Sequence, residues 1–353
     1  MKVAVLLSGG VDSSVALALL KEQGHDVTAY YLKIWLEDEL AFLGNCPWED
    51  DLSYCRQVCE QFDVPLEVIN LQQEYWDRVV KEAIEELKEG RTPSPDILCN
   101  QQIKFGEFFL HLGDKYDKVA SGHYAQVEEV DGFFYLKQSP DPVKDQTYFL
   151  TYLSQDQLSK IIFPIGEYTK EEIRALAEKF RLPNAKRKDS QGICFLGKIK
   201  YNDFVKFNLG EKEGDIVDYD TDEVIGKHKG FWFHTIGQRH GLKLNNGPWY
   251  VVKKDIDANI VYVTRSSDDT NIPQDRFLVR RMNKITSGEL KNELKVKLRH
   301  GPLKYDCSIE LLDNGKYKVI LAKPDRGISP GQYAIFYDGD FCVGGGIIEL
   351  TEN

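Results

Sequence analysis

The stretch Lys2-Val-Ala-Val-Leu-Leu-Ser-Gly-Gly-Val-Asp-Ser-Ser-Val15 decides the reading of the fold. Val3–Leu7 is an apolar run suited to a buried strand, and Ser8-Gly9-Gly10 turns the chain. Val15-Ala-Leu-Ala-Leu-Leu20 then predicts a helix ending before Gly24. Gly9 and Gly10 have no Cβ, so their backbone can approach a ligand closely. Free N–H groups at the helix start, with the hydroxyls of Ser8, Ser13 and Ser14, make an anion cradle. The turn has neither a Gly-Lys-Ser/Thr ending nor a Gly-x-Gly-x-x-Gly pattern, which excludes a Walker-type loop and a dinucleotide fingerprint. A ligand-free turn of small residues is the plain alternative. Its place at the first strand–helix junction, where ligand sites form, favours phosphate binding.

Strand and helix signals alternate through the first 125 residues. Strands are expected at Asp26–Trp35, Pro65–Leu71 and Lys118–Ser121, and helices at Asp50–Phe62, Glu74–Lys88 and Gln101–Lys115. Such alternation predicts an α/β domain, a doubly wound parallel sheet with helices on both faces and binding residues at the carboxyl ends of its strands. Gly122-His123-Tyr124 follows such an end. Another helix is expected at Lys170–Phe180. From residue 206 the texture changes to short alternating runs broken by Gly, Asn, Asp and Pro, which predicts β-rich modules. The expected units are 1–205, 206–268 and 269–353, with Pro273 near the last boundary.

The chain has 353 residues, enough for two or three cores, and a net charge of −11. The charge is uneven: residues 1–100 carry −11, residues 101–200 carry +1 and residues 201–353 carry −1. Local basic clusters, not the total, must therefore decide on a nucleic-acid partner. No apolar run approaches the roughly 18–20 residues of a membrane span. The chain runs from Met-Lys directly into its first strand, so a cytoplasmic protein with no membrane contact is expected. Seven cysteines without a Cys-x-x-Cys pair argue against a disulfide framework and direct attention to single thiols.

Two thiols stand out. Arg91-Thr-Pro-Ser-Pro-Asp-Ile-Leu-Cys-Asn100 reads as a stiff loop ahead of a helix, presenting Asp96 and Cys99. A helix N-terminus would lower the Cys99 pKa, although most free cysteines are buried and structural. In Lys186-Arg-Lys-Asp-Ser-Gln-Gly-Ile-Cys-Phe195 a basic run leads to Cys194. It suits a thiolate, a persulfide or RNA phosphates, and equally a solvated loop. Cys55 and Cys59, one helical turn apart, are expected in the core because metal-type ligand spacing is missing; Cys46 is set with them.

The Ser8–Ser14 segment resembles the PP-loop of ATP pyrophosphatases. The chain as a whole resembles the tRNA-specific 2-thiouridine synthases, through Pro47-Trp-Glu-Asp-Asp51, Glu74-Tyr-Trp-Asp-Arg78, Gly90–Asn100, Ile103-Lys-Phe-Gly106 and Ser121-Gly-His-Tyr124. It continues through Lys144–Leu150, Asp189–Phe195, His234-Thr-Ile-Gly-Gln-Arg239, Pro248-Trp-Tyr-Val251, Pro330-Gly-Gln332 and Gly344–Ile348. Where the family commonly has Asn-Pro-Asp, this chain has Ser94-Pro95-Asp96, and Gln191 replaces a commoner Thr. Ser and Asn both hydrogen-bond a base, so retuned contacts and retained activity are expected at residue 94.

The resemblance implies ATP-dependent 2-thiolation of the tRNA wobble uridine, and a β-barrel as the last module. It implies that Leu6, Leu7, Ser8, Gly9, Gly10, Val11, Asp12, Ser13 and Ser14 bind ATP together with Leu32 and Gly122. Mg²⁺ would accompany ATP, with Asp12 as the candidate ligand. Cys194 would carry a persulfide loaded by a cysteine desulfurase or sulfur relay, and Cys99 would resolve it as a Cys99–Cys194 disulfide. Asp96 would orient the base or exchange protons with it. Ser94, Pro95 and Asp96, with Lys144, Asp145 and Gln146, would contact tRNA, and Arg299 and His300 would hold its backbone. The cluster Arg280, Arg281, Lys284, Lys295, Lys297 and Arg299 supports such a surface, a solvated strand face being the other reading. An iron–sulfur cluster on Cys99 and Cys194 is the less favoured alternative to the persulfide, since no third cysteine lies in a comparable motif. A monomer is expected. The rivals are an amidotransferase-type or argininosuccinate-type synthetase, which has no use for paired thiols, and a non-enzymatic RNA-binding sulfur carrier, which has no use for Ser8–Ser14.

Overall fold

The computed structural model describes residues 1–34, 48–188, 200–265 and 275–350. Cys46, the Asp189–Phe195 motif with Cys194, and Pro273 lie outside the described residues. Strands β1 (Lys2–Leu6), β2 (Asp26–Lys33), β3 (Leu66–Asn70), β4 (Lys118–Ser121) and β7 (Ile161–Ile162) form one parallel sheet in the order β3-β2-β1-β4-β7. Successive side chains of a strand point to opposite faces. Val3, Val5 and Leu7 accordingly pack on helices α1 (Val11–Glu22) and α2 (Trp48–Phe62), while Ala4 and Leu6 join the core on the other face. The doubly wound sheet expected from the alternation is present.

Helix α1 is buried from Ser13 to Leu20, which its Ser, Ala and Leu content permits because no charged side chain falls in that span. Cys55 and Cys59 of α2 sit in the core, and the Cys55 thiol donates to the Leu7 carbonyl at 3.5 Å. Helix α3 (72–88) buries Val79, Val80, Ala83, Ile84 and Leu87 and carries a wide π-type turn at Trp76–Val80. Helix α4 spans 95–112 and ends at Gly113, with φ +58°.

The second unit is a four-stranded sheet in the order β10 (Tyr250–Asp255), β11 (Ile260–Thr264), β8 (Gly214–Asp218) and β9 (Val224–His228), around Ile216, Trp249, Val251, Val261 and Val263. The expected boundary at 205/206 falls inside helix Tyr201–Leu209, whose Phe204 and Val205 are buried in the core of the first unit. In the last unit, β12 (Arg276–Lys284), β15 (Tyr317–Leu321), β14 (Tyr305–Leu311), β13 (Glu293–Lys297), β16 (Tyr333–Asp338) and β17 (Phe341–Glu349) follow one another. Pairing of β12 with β17 closes them into a six-stranded barrel. The sequence did not anticipate that a hairpin of the first unit, β5 (Ala125–Val130) and β6 (Phe133–Gln138), extends this sheet. It does so through Phe341↔Lys137 and Cys342↔Leu136.

Candidate active site

β1 ends at Leu6 and α1 begins at Val11, so Leu7–Gly10 make the whole turn. Gly9 has φ +74°, and a Cβ there would meet the Asp51 carbonyl oxygen at 2.4 Å, so only glycine fits. Ser13 Oγ and Ser14 Oγ donate to the Gly10 carbonyl at 3.1 and 2.9 Å, and the Ser8 N–H donates to Ser13 Oγ at 3.2 Å. Gly122 stands over the same helix start, where a Cβ would lie 2.6 Å from the Ser13 nitrogen. The strand order reverses between β1 and β4, so the turn and Gly122 flank the point where open α/β sheets bind ligands.

Residues far along the chain hold this turn. Asn184 Nδ2 donates to the Gly9 carbonyl at 2.8 Å and to Ser14 Oγ at 2.9 Å. Arg187 Nη1 donates to the same carbonyl at 3.0 Å, its other nitrogen pairs with Asp51, and its plane lies 4.9 Å from the Tyr54 ring centre. Read from sequence as part of a basic run for a thiolate or RNA, Arg187 instead turns inward. Burial raises the Asp51 pKa despite the Arg187 charge. Asp12 Oδ1 accepts from Tyr124 Oη at 3.0 Å and from Lys170 Nζ at 2.7 Å. Sequence reasoning missed Asn184 and Lys170. The readable signal near Lys170 was only the Thr169–Glu172 capping box that starts its helix.

Cys99 is placed differently from its expected loop. Pro95 begins α4, since a proline's missing N–H is no loss at a first helical position, and Asp96 and Cys99 lie inside the helix. Cys99 is fully buried. Burial pushes its thiol up to about 11, against the Lys104 ammonium and a hydrogen bond from Tyr75, which favour the thiolate. The expected lowering by a helix N-terminus is absent. One Asp96 carboxylate oxygen is buried without a hydrogen-bond partner among the described residues, and the Ser94 side chain makes no capping bond. Lys104 donates to Asn100 Oδ1 at 2.9 Å and also faces His123, whose pKa burial and then Lys104 hold well below the usual range. Asn100 Nδ2 donates to the Phe149 carbonyl at 3.0 Å.

The segment 144–151 joins these parts. Gln146 exchanges hydrogen bonds with the Tyr124 backbone at 2.9 and 3.0 Å. His300 Nε2 meets the Asp145 carbonyl at 3.2 Å and stacks on Phe149 at 4.8 Å. Hydrogen bonds thus run from Asp12, beside the glycine turn, through Tyr124, Gln146 and Phe149 to Asn100, the residue after Cys99, and Leu32 packs on the core that contains Cys99. Asp145 turns inward: its buried carboxylate accepts from Lys297 and Gln138, each at 2.7 Å. The expected basic surface is likewise largely paired. Arg280 meets Glu86 and Glu349, Arg281 meets Glu82, Lys284 meets Glu289, Lys295 meets Asp306, and Arg299 meets Asp325.

The three units meet at Thr92. Its N–H donates to the Pro330 carbonyl at 2.8 Å, its hydroxyl meets those of Thr235 and Ser329 at 3.2 Å, and Gln332 reaches its carbonyl at 3.1 Å. Next to Thr235, His234 is buried, 5.5 Å from the His228 ring. Burial, then His228 and Lys254, lower its pKa to about 4. An unfolded histidine titrates near 6.5, so between these values only the unfolded chain takes up the proton. Stability is therefore expected to be full above about pH 6.5 and to fall by on the order of 3 kcal/mol as pH drops towards 4. Urea midpoints at about pH 7 and about pH 5 test this. The drop should shrink in His234→Asn, and an unchanged drop in that variant would refute it.

A parallel sheet with a glycine-turn anion cradle at its switch point, followed by two β-modules, defines a nucleotide-binding α/β enzyme class. Family models agree unit by unit: "tRNA methyl transferase HUP domain" over residues 1–198, "tRNA methyl transferase PRC-barrel domain" over 202–265 and "Aminomethyltransferase beta-barrel domain" over 274–348. The tRNA-specific 2-thiouridylase MnmA of Parabacteroides distasonis is 46% identical over 355 residues, covering 99% of each chain. That of Porphyromonas gingivalis is 45% identical over 361 residues, again covering 99% of each. The chain belongs to the tRNA-specific 2-thiouridylase family.

Proposed function

We propose that this chain catalyses ATP-dependent 2-thiolation of the wobble uridine in tRNA anticodons. The observation that carries the reading is the hydrogen-bonded continuity from Asp12 through Tyr124 and Gln146, and from Phe149 through Asn100 to the Cys99 helix. It links the glycine turn that we assign to ATP with the helix that carries the Cys99 thiol, and the chain is similar end to end to named 2-thiouridylases, which supports the reading.

The α1 N–H groups and the Ser8 and Ser13 hydroxyls hold the phosphates of ATP. The uracil C2 oxygen attacks the α-phosphorus and pyrophosphate leaves, so a poor leaving oxygen becomes part of AMP. Mg²⁺ bound with the nucleotide would neutralise charge developing on the phosphates. Asp12 is the carboxylate at the cradle, and among the described residues no three His, Cys, Asp or Glu side chains form a metal site. The terminal sulfur of a Cys194 persulfide then attacks C2 and AMP departs. The Cys99 thiolate attacks the Cys194 sulfur, breaking its bond to the transferred sulfur, which stays on C2. The Cys99–Cys194 disulfide that results is reduced by a cellular thiol. Burial holds the Cys99 thiol up at about 11, so it must lose its proton before it attacks. The unpartnered Asp96 oxygen suits a donor on the uracil ring. Sulfur would come from a cysteine desulfurase or relay protein, and the setting would be cytoplasmic.

The test is nucleoside mass spectrometry of tRNA incubated with the protein, ATP, Mg²⁺ and a persulfide donor. Wobble 2-thiouridine with stoichiometric AMP and pyrophosphate is expected. Intact uridine and uncleaved ATP would overturn the reading.

A further inference from the structure

We propose that Lys170 is a catalytic residue of the adenylation step: the cation that takes the β and γ phosphates of ATP and the departing pyrophosphate. This deepens the reading above and rests on Ser8–Ser14 being the ATP site.

Lys170 is the first residue of the helix Lys170–Lys179, 158 residues from Asp12. Its backbone is fixed by the Asp141 carboxylate, which accepts the Lys170 N–H at 3.1 Å, and by the Thr169–Glu172 capping box. The side chain is therefore delivered from a rigid start. Its ammonium lies 2.7 Å from Asp12 Oδ1 and 5.9 Å from the centre of the Tyr124 ring, with only 16% of the side chain exposed. Asp12 is the second residue of α1, so the ammonium stands beside the N–H groups that form the cradle.

This placement answers an electrostatic problem. A carboxylate at the mouth of an anion site repels the polyphosphate that the site is built to hold. Lys170 cancels that charge at rest. When phosphate oxygens arrive, the same ammonium can exchange the carboxylate for them, because a lysine is a point charge with three rotatable donors. Cleavage between the α and β phosphorus adds negative charge to the pyrophosphate side. A preorganised cation there is worth more in the transition state than in the ground state. Arg187 cannot serve this purpose, since its guanidinium is already committed to Gly9 and Asp51.

The experiment measures pyrophosphate and AMP binding separately, by displacement of a fluorescent ATP analogue from the full chain. The proteins compared are the unaltered one, Lys170→Met, Lys170→Arg, Asp12→Asn and the double variant Asp12→Asn/Lys170→Met. Lys170→Met should weaken pyrophosphate about 10- to 100-fold, the scale of one charge-assisted hydrogen bond, and leave AMP unchanged. Lys170→Arg should restore most of the affinity. The decisive comparison is in the Asp12→Asn background: the pyrophosphate loss on adding Lys170→Met should persist there. If it vanishes, Lys170 only neutralises Asp12 and the proposal fails. Equal weakening of AMP and pyrophosphate would mark a folding defect of the loop and would also overturn it. Failure of the unaltered protein to bind either AMP or pyrophosphate would instead sink the ATP-site reading itself.

Discussion

No 2-thiouridine is expected from the Cys194→Ser protein under conditions in which the unaltered chain thiolates its tRNA. A serine hydroxyl cannot hold sulfane sulfur, so the transfer is lost rather than slowed, by at least about a thousand-fold, as when a covalent nucleophile is removed. Binding of tRNA and release of pyrophosphate should survive, since neither needs the carrier sulfur. Cys99→Ser should behave differently. With no resolving thiolate, the C2–S–S–Cys194 adduct accumulates, and added dithiothreitol should free 2-thiouridine from it. Nucleoside mass spectrometry and denaturing gels of the tRNA–protein adduct read both results. Full thiolation by Cys194→Ser would remove the carrier assignment.

Lys297→Met should destabilise the protein by about 3–5 kcal/mol. Lys297 and Asp145 are both buried, and their 2.7 Å pair joins the barrel to the segment that carries Gln146. Removing the cation leaves a carboxylate out of water with the neutral donors of Gln138, Ser139 and Thr147. Chemical denaturation should report a lower midpoint, and Asp145→Asn introduced into Lys297→Met should recover much of the loss because the uncompensated charge is gone. A change under about 1 kcal/mol in Lys297→Met would mean that water reaches the pair. Loss of tRNA affinity with stability unchanged would favour the direct tRNA contact that the sequence resemblance implied for Asp145.

The contrast between Asp145 and Asp12 explains how much of the site was legible. Asp12 belongs to a local pattern, strand–glycine–helix, in which residue order alone dictates where N–H groups and hydroxyls point. Asp145 sits in an equally well-matched motif, Lys144–Leu150, yet its partner Lys297 is 152 residues away. Cys99 makes the same point. Its motif was readable, but its reactivity depends on burial in the core it shares with Ile97, Leu98, Phe105 and Phe108. Helix α4 began earlier than expected because Pro95 served as its first residue, where prolines on a loop–helix border can be read either way.

By itself the sequence determined the doubly wound domain, the glycine turn at its first strand–helix junction and the change to β-modules, because each follows from periodicity and glycine placement over a few neighbouring residues. Only the tertiary structure decided what the charges do. It turned Arg187 and Asn184 onto Gly9, set Lys170 on Asp12, paired the barrel's cations with carboxylates and gathered three units around Thr92. The reason is physical: an electrostatic or hydrogen-bonding role is a property of distance and dielectric, and neither exists until the chain has folded.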